Sequence, residues 1–177
     1  LVVTIALPSI RESLHAGLSG LQWTVSAYTL TFAVFLLTGS ILGDRFGRRR
    51  LFTVGLATFT GASALAALAP NIQMLIAARA IQGTGAALAA PTALALVATT
   101  FAPGRVRNQA IAIFGSMMAV GSVGGLVIGG ALTEVSWRWI FLINVPIGAL
   151  ILAGEPLRLR DTTHQRLPLD VRGAVLG

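Results

Sequence analysis

Five stretches of this chain, residues 21–42, 51–69, 74–101, 109–133 and 139–154, are apolar and carry one charge between them, Arg79. A helix rises about 1.5 Å per residue and the hydrocarbon core of a bilayer is about 30 Å thick, so roughly twenty such residues cross it once. The first four runs are long enough to cross, and the fifth is short enough to call for local thinning or tilt. Residues 1–10 are also apolar but make only about half a span, which reads as the end of a further helix that begins upstream. Gly, Ala and Ser are dense along all of these runs, and in lipid small residues let helices approach closely. The alternating ten-residue segments of a β-barrel do not occur. The expectation is an all-α, polytopic membrane protein with a bundle of six helices over residues 1–154.

Composition narrows the function. Of the 177 residues, 55% are hydrophobic and 11% charged, against about 25% charged in soluble domains. A mean hydropathy of +0.81 excludes a disordered chain. A net charge of +7 would suit a nucleic-acid binder, so the placement of the charges decides. Arg45, Arg48, Arg49, Arg50, Arg105, Arg107, Arg158, Arg160, Arg166 and Arg172 fall in alternate loops, and the intervening loops hold only Arg11 and Arg138. Basic residues in short loops stay cytoplasmic, so loops 43–50, 102–108 and 155–170 are expected inside, and residues 171–177 start another span. The partner of these arginines is then the lipid bilayer rather than nucleic acid. There is no cysteine, and His15 and His164 lie far apart, so no metal site is expected. The opening residues show no basic run with a cleavage site, so a signal peptide is not expected there. No nucleophile, base and orienting acid are grouped, and no phosphate loop is followed by Lys, so neither an enzyme nor a cofactor is expected.

The chain also repeats itself. Ala6-Leu7-Pro8-Ser9, read as the end of the first helix, matches Ala89-Ala90-Pro91-Thr92 late in the fourth. Gly39-Ser40-Ile41-Leu42-Gly43-Asp44, leading to Arg49 and Phe52, is echoed by Gly129-Gly130-Ala131-Leu132-Thr133-Glu134, leading to Arg138 and Phe141. Three helices per unit is an odd number, so the second unit must be inverted across the bilayer, as in secondary transporters. The alternative is coincidence in a chain rich in Gly and Ala.

Among the loops, Gly43 to Arg50 is the most specific. Charge bias alone explains scattered arginines but not a lone Asp44 four residues before Arg48, nor glycines at 43 and 47. Gly permits a tight turn, and Asp44 can accept from a guanidinium or cap a helix start. A gate and a headgroup anchor are the two readings.

The run Ser40 to Arg50 resembles the loop signature between helices 2 and 3 of the major facilitator superfamily, with Ser40 at its usual first Gly. Leu75 through Arg79 to Gln82, Gly83, Gly85 and Ala87 resembles the fourth-helix motif of that superfamily. Gly121 to Gly130 is similar to the fifth-helix motif of its antiporters, with Leu126 in place of Pro. Trp137 through Asn144 and Pro146 to Gly148 resembles the helix 5 to 6 junction of drug:proton antiporters of the EmrB/QacA type. The tail from Leu169 to Leu176 suits the fourteen-span branch. The resemblance implies the N-terminal half of a proton-coupled exporter of hydrophobic or cationic drugs, with protons, the small-molecule substrate and the missing C-terminal half as partners. A transporter for another small solute, or an inactive half acting only as a helical bundle, are the alternatives.

The resemblance implies that Asp44, Arg45, Gly47 and Arg48 gate the conformational cycle, and that Arg79 takes part in proton coupling, its usual acidic counterpart falling just before Leu1. A charge inside a span costs about 2.5–3.5 kcal/mol and calls for a partner or a wet cavity, or else the side chain snorkels outward. Gly121, Gly125 and Gly129 lie on one stripe of the fifth helix with Gly130 beside it, and the resemblance implies that the stripe meets the other half. Tyr28, Gln82 and Met117, with Met118, are candidates for lining a cavity, with core or lipid packing as the other reading for the aromatic and the methionines. Trp23, Trp137 and Trp139 sit at span ends and are expected at the interface. Asn144 with Pro146 is expected to mark a hydrogen-bonded kink.

Overall fold

A computed structural model describes residues 2–158, with side chains through Gly154. All of its regular elements among the described residues are helices: α1 (Val2–Leu14), α2 (Leu18–Phe46), α3 (Arg48–Ala67), α4 (Ile72–Thr100), α5 (Arg105–Val135), α6 (Arg138–Leu142) and α7 (Asn144–Arg158). Four of them, α2 to α5, are long and apolar enough to cross a membrane. The pair α6 and α7 takes up the expected sixth span.

The boundaries differ from expectation in three places. Helix α1 does not end at residue 10 as expected but carries Pro8 inside and runs on through Arg11 and Glu12 to Leu14. It stops in a Schellman turn, with His15 at φ 48° and the Ala16 amide donating to the Arg11 carbonyl at 3.1 Å. The sixth span breaks at Ile143, between α6 and α7. Pro146 has no N–H to continue the ladder and stands in the first turn of α7, where its lack costs nothing. At this break Asn144 Nδ2 donates to the Ile140 carbonyl at 3.4 Å. At the other end α7 continues to Arg158, into the stretch expected to be loop, and residues 159–177 with the expected next span lie outside the described residues.

Helix α4 is the centre of the bundle, packed along α2 on one side and α3 on the other. Its small residues explain why. Pro91 removes the hydrogen bond that the Ala87 carbonyl would accept within the helix. Gly39 of α2 approaches at that level so closely that a Cβ there would lie 3.2 Å from Leu88 Cα and run into the Ala87 carbonyl oxygen. On the other side Gly55 of α3 and Gly85 of α4 face each other. A Cβ on either would come 2.8 Å from the other's carbonyl oxygen, closer than real Cβ atoms approach backbone.

Three pairings recur in the two halves, α1 with α2, α2 with α3 and α2 with α4 in the first and α4 with α5, α5 with α6 and α5 with α1 in the second, but the extensive packing of α3 on α4 has no comparable counterpart of α6 or α7 on α1 among the described residues. An apolar cluster lies where the ends of α1 and α3 and the start of α4 meet α6, with Ile10, Leu75, Trp137, Ile140 and Phe141 buried in it. Trp137 therefore departs from the expected interfacial role: it is 1% exposed and packs edge-on against Phe141 at 6.1 Å, while Trp23 and Trp139 are exposed as expected. The α4 start is held by Asn71, whose Oδ1 accepts from the Met74 amide at 2.9 Å. Asn71→Ala should lower stability by about 1 kcal/mol, the value of a helix cap, read as a fall in the thermal midpoint of the purified transporter.

Candidate functional site

Arg79 is buried inside the bundle, only 7% exposed, and does not snorkel. Its position on α4 turns it toward α2 and α6. Nε donates to the Thr24 carbonyl on α2 at 3.1 Å, and Nη1 donates to Gln82 Oε1 one turn along α4. The guanidinium also lies over the Tyr28 ring, 4.2 Å from its centroid, and 5.9 Å from that of Phe141. Hydrogen bonds from a charged donor contribute about 1.5–3 kcal/mol each, and a desolvated cation over an aromatic face about 2. Together they offset the insertion cost of the charge. Gln82 is in turn 2% exposed and passes the network on to α3, its Nε2 donating to Ser63 Oγ at 2.6 Å.

Arg79, Gln82 and Tyr28 reach the wall of a cavity of about 600 Å³. Phe59 of α3, Phe141 of α6, Asn144 of α7 and the glycine stripe of α5 supply other parts of that wall. The cavity is mostly apolar with a few convergent polar groups, the usual composition of a small-molecule site. Among the described residues that line it, none is acidic, and Arg79 is the only one ordinarily charged at neutral pH.

Other expected residues are placed differently. Met117 is 69% exposed and Met118 64%, and neither lines this cavity, because α5 turns its glycines inward and these two outward. Gly125 and Gly129 do not wait for a second half: Val2 of α1 fills the space beside them, and a Cβ at Gly125 would meet it at 3.0 Å. Gly121 also lines the cavity but has open space beside it, as has Gly130. Helix α5 runs unbroken past Leu126.

At the arginine-rich end, Arg48 donates to Asp44 Oδ1 from Nη2 at 2.8 Å and from Nε at 3.0 Å. Arg45 does not join that pair but lies over the Phe46 ring at 5.5 Å. Asp44 does not cap α3 either; the cap position is Gly47, at φ 98°, a single residue linking α2 to α3. With Asp44 57% exposed the ion pair contributes only about 0–1 kcal/mol to stability.

Two members of the Arg79 network, Thr24 and Ser63, do not stand out in the sequence, and Phe141 stands out only as the counterpart of Phe52 in the repeat. Thr24 and Phe141 sit in runs where Thr and Phe are common, and Ser63 lies among alanines. Nothing in local pattern distinguishes them from packing residues.

The model of the Major Facilitator Superfamily matches residues 1–174. The chain is 51% identical over 175 residues to an uncharacterized MFS-type transporter, EfpA, of Mycobacterium tuberculosis. It is 45% identical to the cephamycin export protein CmcT of Amycolatopsis lactamdurans and 43% identical to the puromycin resistance protein pur8 of Streptomyces alboniger. Each match covers 99% of this chain but only 33%, 37% and 35% of the relative, so the chain spans about a third of the length of the relatives it matches. Apolar spans, a buried arginine beside a central cavity and a family match over nearly the whole length agree: this chain belongs to the Major Facilitator Superfamily, whose members are multi-pass membrane transporters.

Proposed function

We propose that this chain is the N-terminal half of a proton-coupled exporter of hydrophobic or cationic drugs that works by alternating access. The observation that carries the reading is Arg79, a cation buried at the wall of a cavity of about 600 Å³ and held only by neutral acceptors and aromatic faces. A charge kept in that setting is free to exchange a neutral acceptor for a carboxylate when that carboxylate loses its proton, which links protonation to a side chain at the cavity wall. The names of the relatives, an export protein and a resistance protein among them, support drugs as the substrate class. Helix ends 43–50 and 102–108 face the cytoplasm in this reading. Asp44 and Arg48, with Arg45 beside them and Gly47 as the joint, stabilise one of the two states there, and Gly121 and Gly130 are left for contact with the second half.

The test uses the full transporter in proteoliposomes, with and without an imposed pH gradient. Export should fall at least about tenfold without the gradient, equivalent to about 1.4 kcal/mol of driving force at the rate-limiting step. Asp44→Ala should cut export while leaving the amount of inserted protein unchanged. Export indifferent to the gradient contradicts proton coupling, and undiminished export by the variant contradicts the gate.

A further inference from the structure

We propose that Ser63 is a positioning residue for Arg79, acting through the amide of Gln82; the proposal rests on the reading of Arg79 as the coupling group. Ser63 is fully buried on α3 and touches neither the cavity nor the arginine. Its hydroxyl has one proton, and that proton is committed to the Phe59 carbonyl of the preceding turn at 2.8 Å. Oγ therefore meets Gln82 only as an acceptor. The Gln82 amide has to turn its NH2 to Ser63, where it donates at 2.6 Å, and this leaves Oε1 as the face presented to Arg79. The opposite orientation would set the amide NH2 against the guanidinium N–H groups, donor against donor, and would require the Ser63 hydroxyl to give up the Phe59 carbonyl. The direction of the relay is thus favoured from both ends, by the donor-only guanidinium and by Ser63 on α3.

The consequence is a defined strength of neutral hold on the guanidinium. Facing Arg79 are Thr24 and Tyr28 from α2, Gln82 from α4 and Phe141 from α6, while Phe59 of α3, Val2 and Val3 of α1 and the glycines of α5 share the cavity wall; Tyr28 is the one other titratable side chain among them. Gln82 Oε1 competes with any carboxylate that titrates beside the cavity. Freeing the amide to rotate weakens that competitor, so the guanidinium leans more on the carboxylate and holds it ionised to lower pH.

The experiment measures drug export against pH in proteoliposomes of the full transporter, with protein amount and thermal midpoint recorded for each variant. Ser63→Ala and the nearly isosteric Ser63→Cys, whose sulfur is a weak acceptor, should move the midpoint of the pH profile toward acid by about one unit, the size expected for one lost hydrogen bond. Ser63→Thr keeps the hydroxyl and should restore the original midpoint. Wild-type midpoints in Ser63→Ala and Ser63→Cys, with Gln82→Leu and Arg79→Lys displaced, overturn the role of Ser63 and leave the coupling reading standing. Wild-type midpoints in all four overturn both.

Discussion

Arg79→Leu is expected to abolish drug export by the full transporter, with a loss of at least about a hundredfold, while the protein still inserts and folds. The two effects separate because they draw on different terms. Leucine at this depth removes an insertion cost of about 2.5–3.5 kcal/mol, which roughly balances the hydrogen bonds to Thr24 and Gln82 and the contact with Tyr28 that are lost. Export has no such balance, since no other charge lines the cavity among the described residues. Arg79→Lys should be intermediate. Its point charge can meet the Thr24 carbonyl or Gln82 Oε1 but not both in the geometry of the planar fork. Export rates normalised to inserted protein, alongside thermal midpoints, check this; a variant that exports normally, or one that fails only because it no longer folds, contradicts the assignment.

The second large effect is structural. Gly85→Leu should prevent assembly of the bundle, with a cost above the usual 1–3 kcal/mol for overpacking. Position 85 is closed by backbone rather than by yielding side chains: its Cβ would lie 2.6 Å from the Phe59 amide nitrogen and 2.8 Å from the Gly55 carbonyl oxygen. Helix α3 would have to move bodily off α4, and with it Ser63 off Gln82. Gly61→Leu is the control, because nothing lies within 4 Å of a Cβ there. Recovery of monodisperse protein after detergent extraction should collapse for the first variant and hold for the second.

The spans could be read from sequence because lipid leaves few choices: a long uncharged run has to satisfy its backbone internally, and a helix does so. Helix ends were less legible. Arg11 and Glu12 look like the limit of α1, yet a helix continues into water at no cost to its own ladder, and α1 runs on to Leu14. Trp137 looks interfacial by residue type, but α6 folds back over the ends of α1, α3 and α4 and buries it. The same limit applies to the site. Arg79 stood out as a charge in an apolar run, and Gln82 by its spacing on the same helix. Thr24 and Ser63 reach the network from 55 and 19 positions away, through contacts that only the packed bundle creates. The glycine stripe of α5 was recognisable as a contact surface, but whether Val2 or a second half fills it depends on where α1 lies.

Drug-driven proton movement, followed with a pH-sensitive dye trapped in proteoliposomes of the full transporter, tests the central claim most directly. Adding drug should move protons through the unmodified protein and move none through Arg79→Leu, although that variant still binds drug. Proton movement of unchanged size through Arg79→Leu would contradict the account.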